Sequence, residues 1–137
     1  VFSLGTSTST NQSAGAMVAY CFSEIAGFSK FGSYTGNGSA DGTFVYLGFR
    51  PKFVMWKRSD TAGQPWYIHD TSRDTYNGSK SALYPSNSFA EAYWTTGIDL
   101  LSNGFKIRET AVDINANGST YIYACFAENP MAQANAR

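Results

Sequence analysis

Apolar and polar residues alternate in several short stretches of this chain. In "GFKIRET" (104–110) the alternation turns Phe105 and Ile107 toward a core and Lys106 and Arg108 toward water. "FVYLGF" (44–49), "KFVMWKRS" (52–59) and "STYIYACFAE" (119–128) have the aromatic and β-branched content of strands, with partial alternation. Pro51 precedes the second of these, where a residue without an N–H suits a strand entrance. Asn-Gly pairs at 37–38, 77–78, 103–104 and 117–118 punctuate the strands, because this dipeptide readily supplies the positive φ of tight turns. Asn11, Asn37, Asn77 and Asn117 each also open an Asn-x-Ser sequence, and the turn reading accounts for them.

Helix signals are sparse. The best is "SFAEAYW" (88–94), where Ser88 and Glu91 have capping-box spacing. Gly97 limits a helix there to two turns, and an irregular loop fits as well. The expected fold is therefore all-β: an antiparallel β-sandwich, jelly-roll-like, with tight Asn-Gly turns and at most one short helix.

One motif occurs twice. "AYCFSE" (19–24) returns as "YACFAE" (123–128), so that at an offset of 104 residues Val18 falls on Ile122, Cys21 on Cys125, Phe22 on Phe126 and Glu24 on Glu128. Thr6 then falls on Thr110, Asn11 on Asn115, and "VFSL" on "FKIR". Both copies read as strand, polar turn, strand. Self-similarity at a fixed period marks tandem arrays, so residues 1–24 read as the closing hairpin of a preceding repeat, or a junction segment, and 25–137 as the sandwich module. Each cysteine reads as a small apolar residue on a strand, in a similar packed environment; a Cys21–Cys125 disulfide is the alternative.

Composition narrows the function. An apolar fraction of 43% and an aromatic fraction of 16% argue against disorder. Acids and bases balance at ten each, without the basic excess of a nucleic-acid binder. No apolar run approaches the ~20 residues of a membrane-spanning helix, and "VFSLGTSTST" lacks the basic and continuous apolar regions of a signal peptide. Phosphate-binding glycine fingerprints and zinc spacings are missing, so no cofactor is expected.

Candidate chemistry is densest in "WYIHDTSRDTYN" (66–77). A hydrolytic reading makes His69 a base, Asp70 or Asp74 its orienter and Ser72 the nucleophile, although these are sequence neighbours without a Gly-x-Ser-x-Gly elbow. A Ca²⁺ reading uses the hard oxygens of Asp70, Asp74 and Asn77, at a spacing that matches no EF-hand loop. A structural reading has a strand "WYIHD" entering a loop pinned by an Arg73–Asp74 or Arg73–Asp70 contact. A recognition reading takes Trp66, His69, Asp70, Arg73 and Asp74 as a glycan site, because an aromatic face covers the apolar side of a pyranose while polar groups fix its hydroxyls. Tyr93 and Trp94, beside a polar loop, are candidates for a surface platform in the same site, whereas Trp56, alternating with Val54, belongs in the core.

The ordered motifs "VAYCFSEIAGFSKFGSYTGNGSADGTFVYLGFRPKFVMWKRSD", "WYIHDTSRDTYN", "LLSNGFKIRET" and "TYIYACFAENP…ANAR" resemble a domain family of unassigned function found in tail-fibre-like and other structural proteins of tailed bacteriophages. The resemblance runs from Val1 to Arg137; it departs after "ENP", where family members carry aromatic and basic residues and this chain has Met131-Ala132-Gln133. It implies a structural or adhesion module on the virion surface, partnered by other virion proteins or by copies of itself, with a homotrimer as the first expectation. Host-surface glycan is the implied ligand. A carbohydrate-binding module without a structural role is the alternative, and a glycan depolymerase a third reading.

Overall fold

The computed structural model describes residues 2–130. Met131, Ala132 and Gln133, where the resemblance departs, lie outside the described residues. Eight strands form: β1 (Ser29–Thr35), β2 (Phe44–Tyr46), β3 (Pro51–Arg58), β4 (Tyr67–Asp70), β5 (Ser79–Ala82), β6 (Ala92–Leu101), β7 (Gly104–Ile107) and β8 (Thr120–Ala127). They build two four-stranded antiparallel sheets, in the orders β1-β8-β3-β4 and β2-β7-β6-β5. The β1–β8 and β2–β7 pairings follow the wrap of a jelly roll, in which a long hairpin rolls over on itself. The inner four strands depart from that wrap and pair as local hairpins, β3 with β4 and β5 with β6. A bridge between Ile68 and Leu83 ties β4 to the residue after β5, joining the sheets along one side.

Alternation sorts the faces as expected. Along β8, Tyr121, Tyr123, Cys125 and Ala127 enter the core, while Ile122, Ala124 and Phe126 face outward. Val54 and Trp56 of β3 and Phe105 and Ile107 of β7 are fully buried. Trp56 stacks on Tyr67, ring centroids 4.3 Å apart, and meets Tyr121 and Trp94 edge-on. Pro51 is the first residue of β3.

Four expectations are corrected. First, two one-turn helices form, α1 (Thr8–Asn11) and α2 (Val112–Asn115), and neither lies in 88–94. There the chain is irregular before entering β6, and Gly97, instead of ending a helix, sits inside that strand. The β5–β6 register shifts between Ser79 and Ser81, and Gly97 takes φ 68 with its Cα so close to the Ser79 carbonyl that a Cβ would lie 2.0 Å from that oxygen. Only glycine fits this bulge. Second, Gly38 and Gly118 have positive φ, but the β6–β7 turn is made at Ser102 and Asn103, with Gly104 already paired in β7.

Third, the hairpin expected over residues 1–24 is not formed among the described residues. Apart from α1, residues 2–24 are without helix or strand and are exposed throughout. A strand needs a ladder partner, and this segment has none among the described residues. Fourth, the cysteines are free and their environments differ, Cys21 exposed and Cys125 fully buried. Burial alone pushes the Cys125 thiol pKa far above its ordinary value.

Candidate functional site

The 71–78 loop leaves β4 and is held from both ends. Asp70 Oδ1 accepts the N–H groups of Ser72 and Arg73, both at 2.9 Å, the local side-chain-to-backbone bonding that Asp offers a turn. Its Oδ2 accepts Arg73 Nε at 2.6 Å. Arg73 also reaches Glu91 Oε1 at 2.5 Å and the Ile68 carbonyl at 3.0 Å, so the pin runs to Asp70 rather than Asp74. Asp74 instead closes the far end of the loop, accepting from Ser79 Oγ, Lys80 N, Ser81 N and Ser81 Oγ at 2.7–3.0 Å. Burial works against the charged form of both carboxylates. Arg73 for Asp70, and the four donors for Asp74, more than offset it and hold each pKa below the usual carboxylate value.

His69 points the other way. It is fully buried, stacked near Trp56 at 6.3 Å and edge-on to Trp94 at 5.1 Å. Its Nδ1 lies 3.4 Å from Ser79 Oγ, and Nε2 has no partner among the described residues. Burial, aided by the positive charge of Arg73 and opposed by Asp74 and Asp70, lowers its pKa to about 4. Ser72, the nucleophile of the hydrolytic reading, is exposed, and the hydroxyl that approaches His69 belongs to Ser79. The oxygens of the Ca²⁺ reading also turn apart, with Asn77 Oδ1 accepting Leu100 N at 2.7 Å.

A histidine whose pKa is depressed on folding stabilises fully above its unfolded value near 6.5 and loses that contribution as pH falls toward 4. Urea melts should therefore show stability declining through this window by roughly 3 kcal/mol. His69→Gln should flatten the slope between pH 6.5 and 4, leaving the carboxylate-dependent decline at lower pH.

Two grooves flank Tyr93, which lines both. One, about 300 Å³, runs between the 73–78 loop and β6 and is walled by Arg73, Asp74, Tyr76, Lys80 and Tyr93. The other, about 290 Å³, is walled by Tyr93, Trp94, Glu109 and Asp113. Tyr93 is 75% exposed and Tyr76 88%, with the Lys80 ammonium 5.9 Å over the Tyr93 ring. Trp94 is half-buried and packs against Tyr67 and His69, offering the groove only part of its surface. In the second groove Glu109 accepts the Thr96 and Gly97 N–H groups, and Asp113 accepts the Tyr67 hydroxyl. Burial, reinforced by Asp113, raises the Tyr67 pKa and keeps that hydroxyl a donor.

Of the residues singled out from sequence, Arg73, Asp74, Tyr93 and Trp94 thus meet at these grooves. Asp70 acts through Arg73, and His69 belongs to the core. Trp66 lines neither groove; its backbone N–H donates to Ser86 Oγ at 3.1 Å and Lys57 stands 6.0 Å over its ring. Lys80, Glu109 and Asp113 carried no signal in sequence, whereas Tyr76 sat within the dense 66–77 stretch.

A family described as a domain of unknown function, DUF7483, matches residues 1–130. The chain belongs to this family. The match takes in the N-terminal segment as well as the sandwich of the DUF7483 domain. No curated protein and no solved structure matches the chain.

Proposed function

We propose that this DUF7483 domain is a structural and adhesion module of a bacteriophage fibre or other virion surface appendage, and that it holds host-surface glycan in the groove between Tyr76 and Tyr93. The observation that carries the reading is that groove: two exposed rings beside a loop whose Arg73 and Asp74 are already fixed by hydrogen bonds. Rings of this kind cover the apolar face of a sugar, and pre-ordered polar groups orient its hydroxyls without further ordering cost. The resemblance of the motifs to phage virion domains supports the setting, with other virion proteins or copies of this chain, arranged as a homotrimer, as partners. A lectin-like module without the structural role would use the same groove.

Binding to arrayed bacterial surface polysaccharides tests the ligand. Tyr93→Ala should weaken binding roughly fivefold, since a stacked aromatic contact contributes on the order of 1 kcal/mol. Trp66→Ala, remote from the groove, should leave it unchanged. Failure to bind any polysaccharide, or equal binding by Tyr93→Ala, would sink the glycan reading.

A further inference from the structure

Residues 2–24 have little regular structure, yet what they have repeats the connection between β7 and β8. Helices α1 and α2 lie at the 104-residue offset of the sequence echo, Thr8–Asn11 on Val112–Asn115. The residues flanking them match in backbone: Ser7 and Ala111 at φ −63, ψ 129 and φ −58, ψ 140, Gln12 and Ala116 at φ −71, ψ 132 and φ −57, ψ 135. Asn11 Nδ2 donates to the Gly5 carbonyl at 2.9 Å, and Asn115 Nδ2 to the Glu109 carbonyl at 2.8 Å, the same offset again. Ala14, the one described non-glycine residue with positive φ, at 57, falls on Gly118, at φ 76. The side chains of the two helices agree only at the asparagine, so composition does not account for the match. Phe2 and Leu4, alternating about Ser3, correspond to Phe105 and Ile107 about Lys106 with a shift of one residue.

What differs is the surroundings. Asn115 is fully buried because the 37–39 loop receives it: its Oδ1 accepts Asn37 N at 2.9 Å and its Nδ2 donates to Ser39 O at 2.7 Å. Asn11 is exposed and meets no counterpart to that loop among the described residues. Strand β8 lies between β1 and β3, and β7 between β2 and β6, whereas Met17 and Cys21 of the arm, the counterparts of the core-facing Tyr121 and Cys125, are exposed. One ring has already found a place: Phe22 packs on Phe31 and on Phe126, its own counterpart, at 5.9 and 5.8 Å on the outer face of the first sheet.

We propose that residues 2–24 are the closing β7–α2–β8 unit of a second sandwich of this same architecture, one that lacks its own last two strands. A complete copy of this chain has no vacancy for them, since its β7, α2 and β8 are in place. The arm inserts between the partner's β1 and β3 and between its β2 and β6, Asn11 entering the partner's 37–39 loop. The Phe22–Phe126 contact then joins the outer faces of the two units. This holds whatever ligand the Tyr76–Tyr93 groove takes.

The test is a tandem polypeptide in which residues 1–103 are placed directly ahead of the full chain. The leading unit, which lacks β7 and β8, should be closed by the arm that follows it. Residues 25–103 of both units should then resist limited proteolysis equally. Asn11→Ala with Met17→Asp in the joining arm, Met17 being the counterpart of the fully buried Tyr121, should make the leading unit digest about tenfold faster or more, because cleavage tracks the open population. The following unit, in which both residues are exposed, should be unaffected and serves as the internal control. A leading unit that stays open beside an intact arm overturns the proposal, as does one equally resistant with the altered arm. Self-association of the full chain that Met17→Asp abolishes would give the arm to a second intact copy instead, and would also overturn it.

Discussion

Trp56→Ala is expected to destabilise the domain by about 4 kcal/mol, read as a shift of the urea midpoint at unchanged slope. Trp56 is the largest fully buried side chain and stands where the two sheets meet. It stacks on Tyr67 from its own sheet and meets Trp94 from the other edge-on, with His69 and Tyr121 completing the surroundings. Removing the indole loses its transfer free energy and leaves a cavity among rings too large to collapse into it. Trp56→Phe keeps most of the volume and should cost less than half as much. It should be helped by the fact that Trp56 Nε1 has no hydrogen-bond partner among the described residues, so no buried bond is lost.

Asn115→Ala should cost a similar amount, roughly 4 kcal/mol, by a different route. Its amide ties two stretches of chain to α2: the 37–39 loop through Asn37 and Ser39, and the segment after β7 through the Glu109 carbonyl. The alanine would leave several of these groups short of a partner, at about 1–3 kcal/mol for each one that water cannot reach. Asn115→Asp should also be poor, because a carboxylate cannot donate to the Ser39 and Glu109 carbonyls. The corresponding Asn11→Ala should leave the melting of the chain alone unchanged, since Asn11 is exposed. A comparable loss in Asn11→Ala would mean that the arm already stabilises this sandwich.

Strand identity was legible where side chains had to serve one buried face. Alternation at Phe105 and Ile107, the run around Trp56, and the aromatic content of β8 each named a strand without further information. Strands β1, β5 and β6 were not legible. "SKFGSYT" and "SKSA" are polar for strands, and β1 exists because β8 offers it a full antiparallel register from Ser29–Phe126 to Thr35–Thr120. In β6 a glycine at positive φ reads locally as a break, and only the approach of the Ser79 carbonyl turns it into a bulge.

The candidate site divides along the same line. A strand entering a pinned loop was one of four readings open to the residue types of the 66–77 stretch, since Asp and Arg in a turn serve a structural contact as readily as a site. Which carboxylate takes the arginine did not follow: it depends on Asp74 meeting the backbone of β5, residues that sequence leaves unplaced. His69 has the composition of a functional residue and the position of a core one, since the period of two along β4 turns it inward with Tyr67.

By itself, then, the sequence determined the class of the fold, the core faces of two strands, at Phe105 and Ile107 and at Val54 and Trp56, and the presence of a repeated motif at a 104-residue offset. These are properties of local pattern, carried by side-chain period and by residues with few alternative uses. Only the tertiary structure decided the pairing of the strands, the burial of His69, the placing of Tyr76 and Tyr93 on one groove, and the fate of the two cysteines. Each of these rests on contacts between residues distant in the chain. The same motif is a buried strand at Cys125 and an exposed arm at Cys21, because burial belongs to the partners a segment finds.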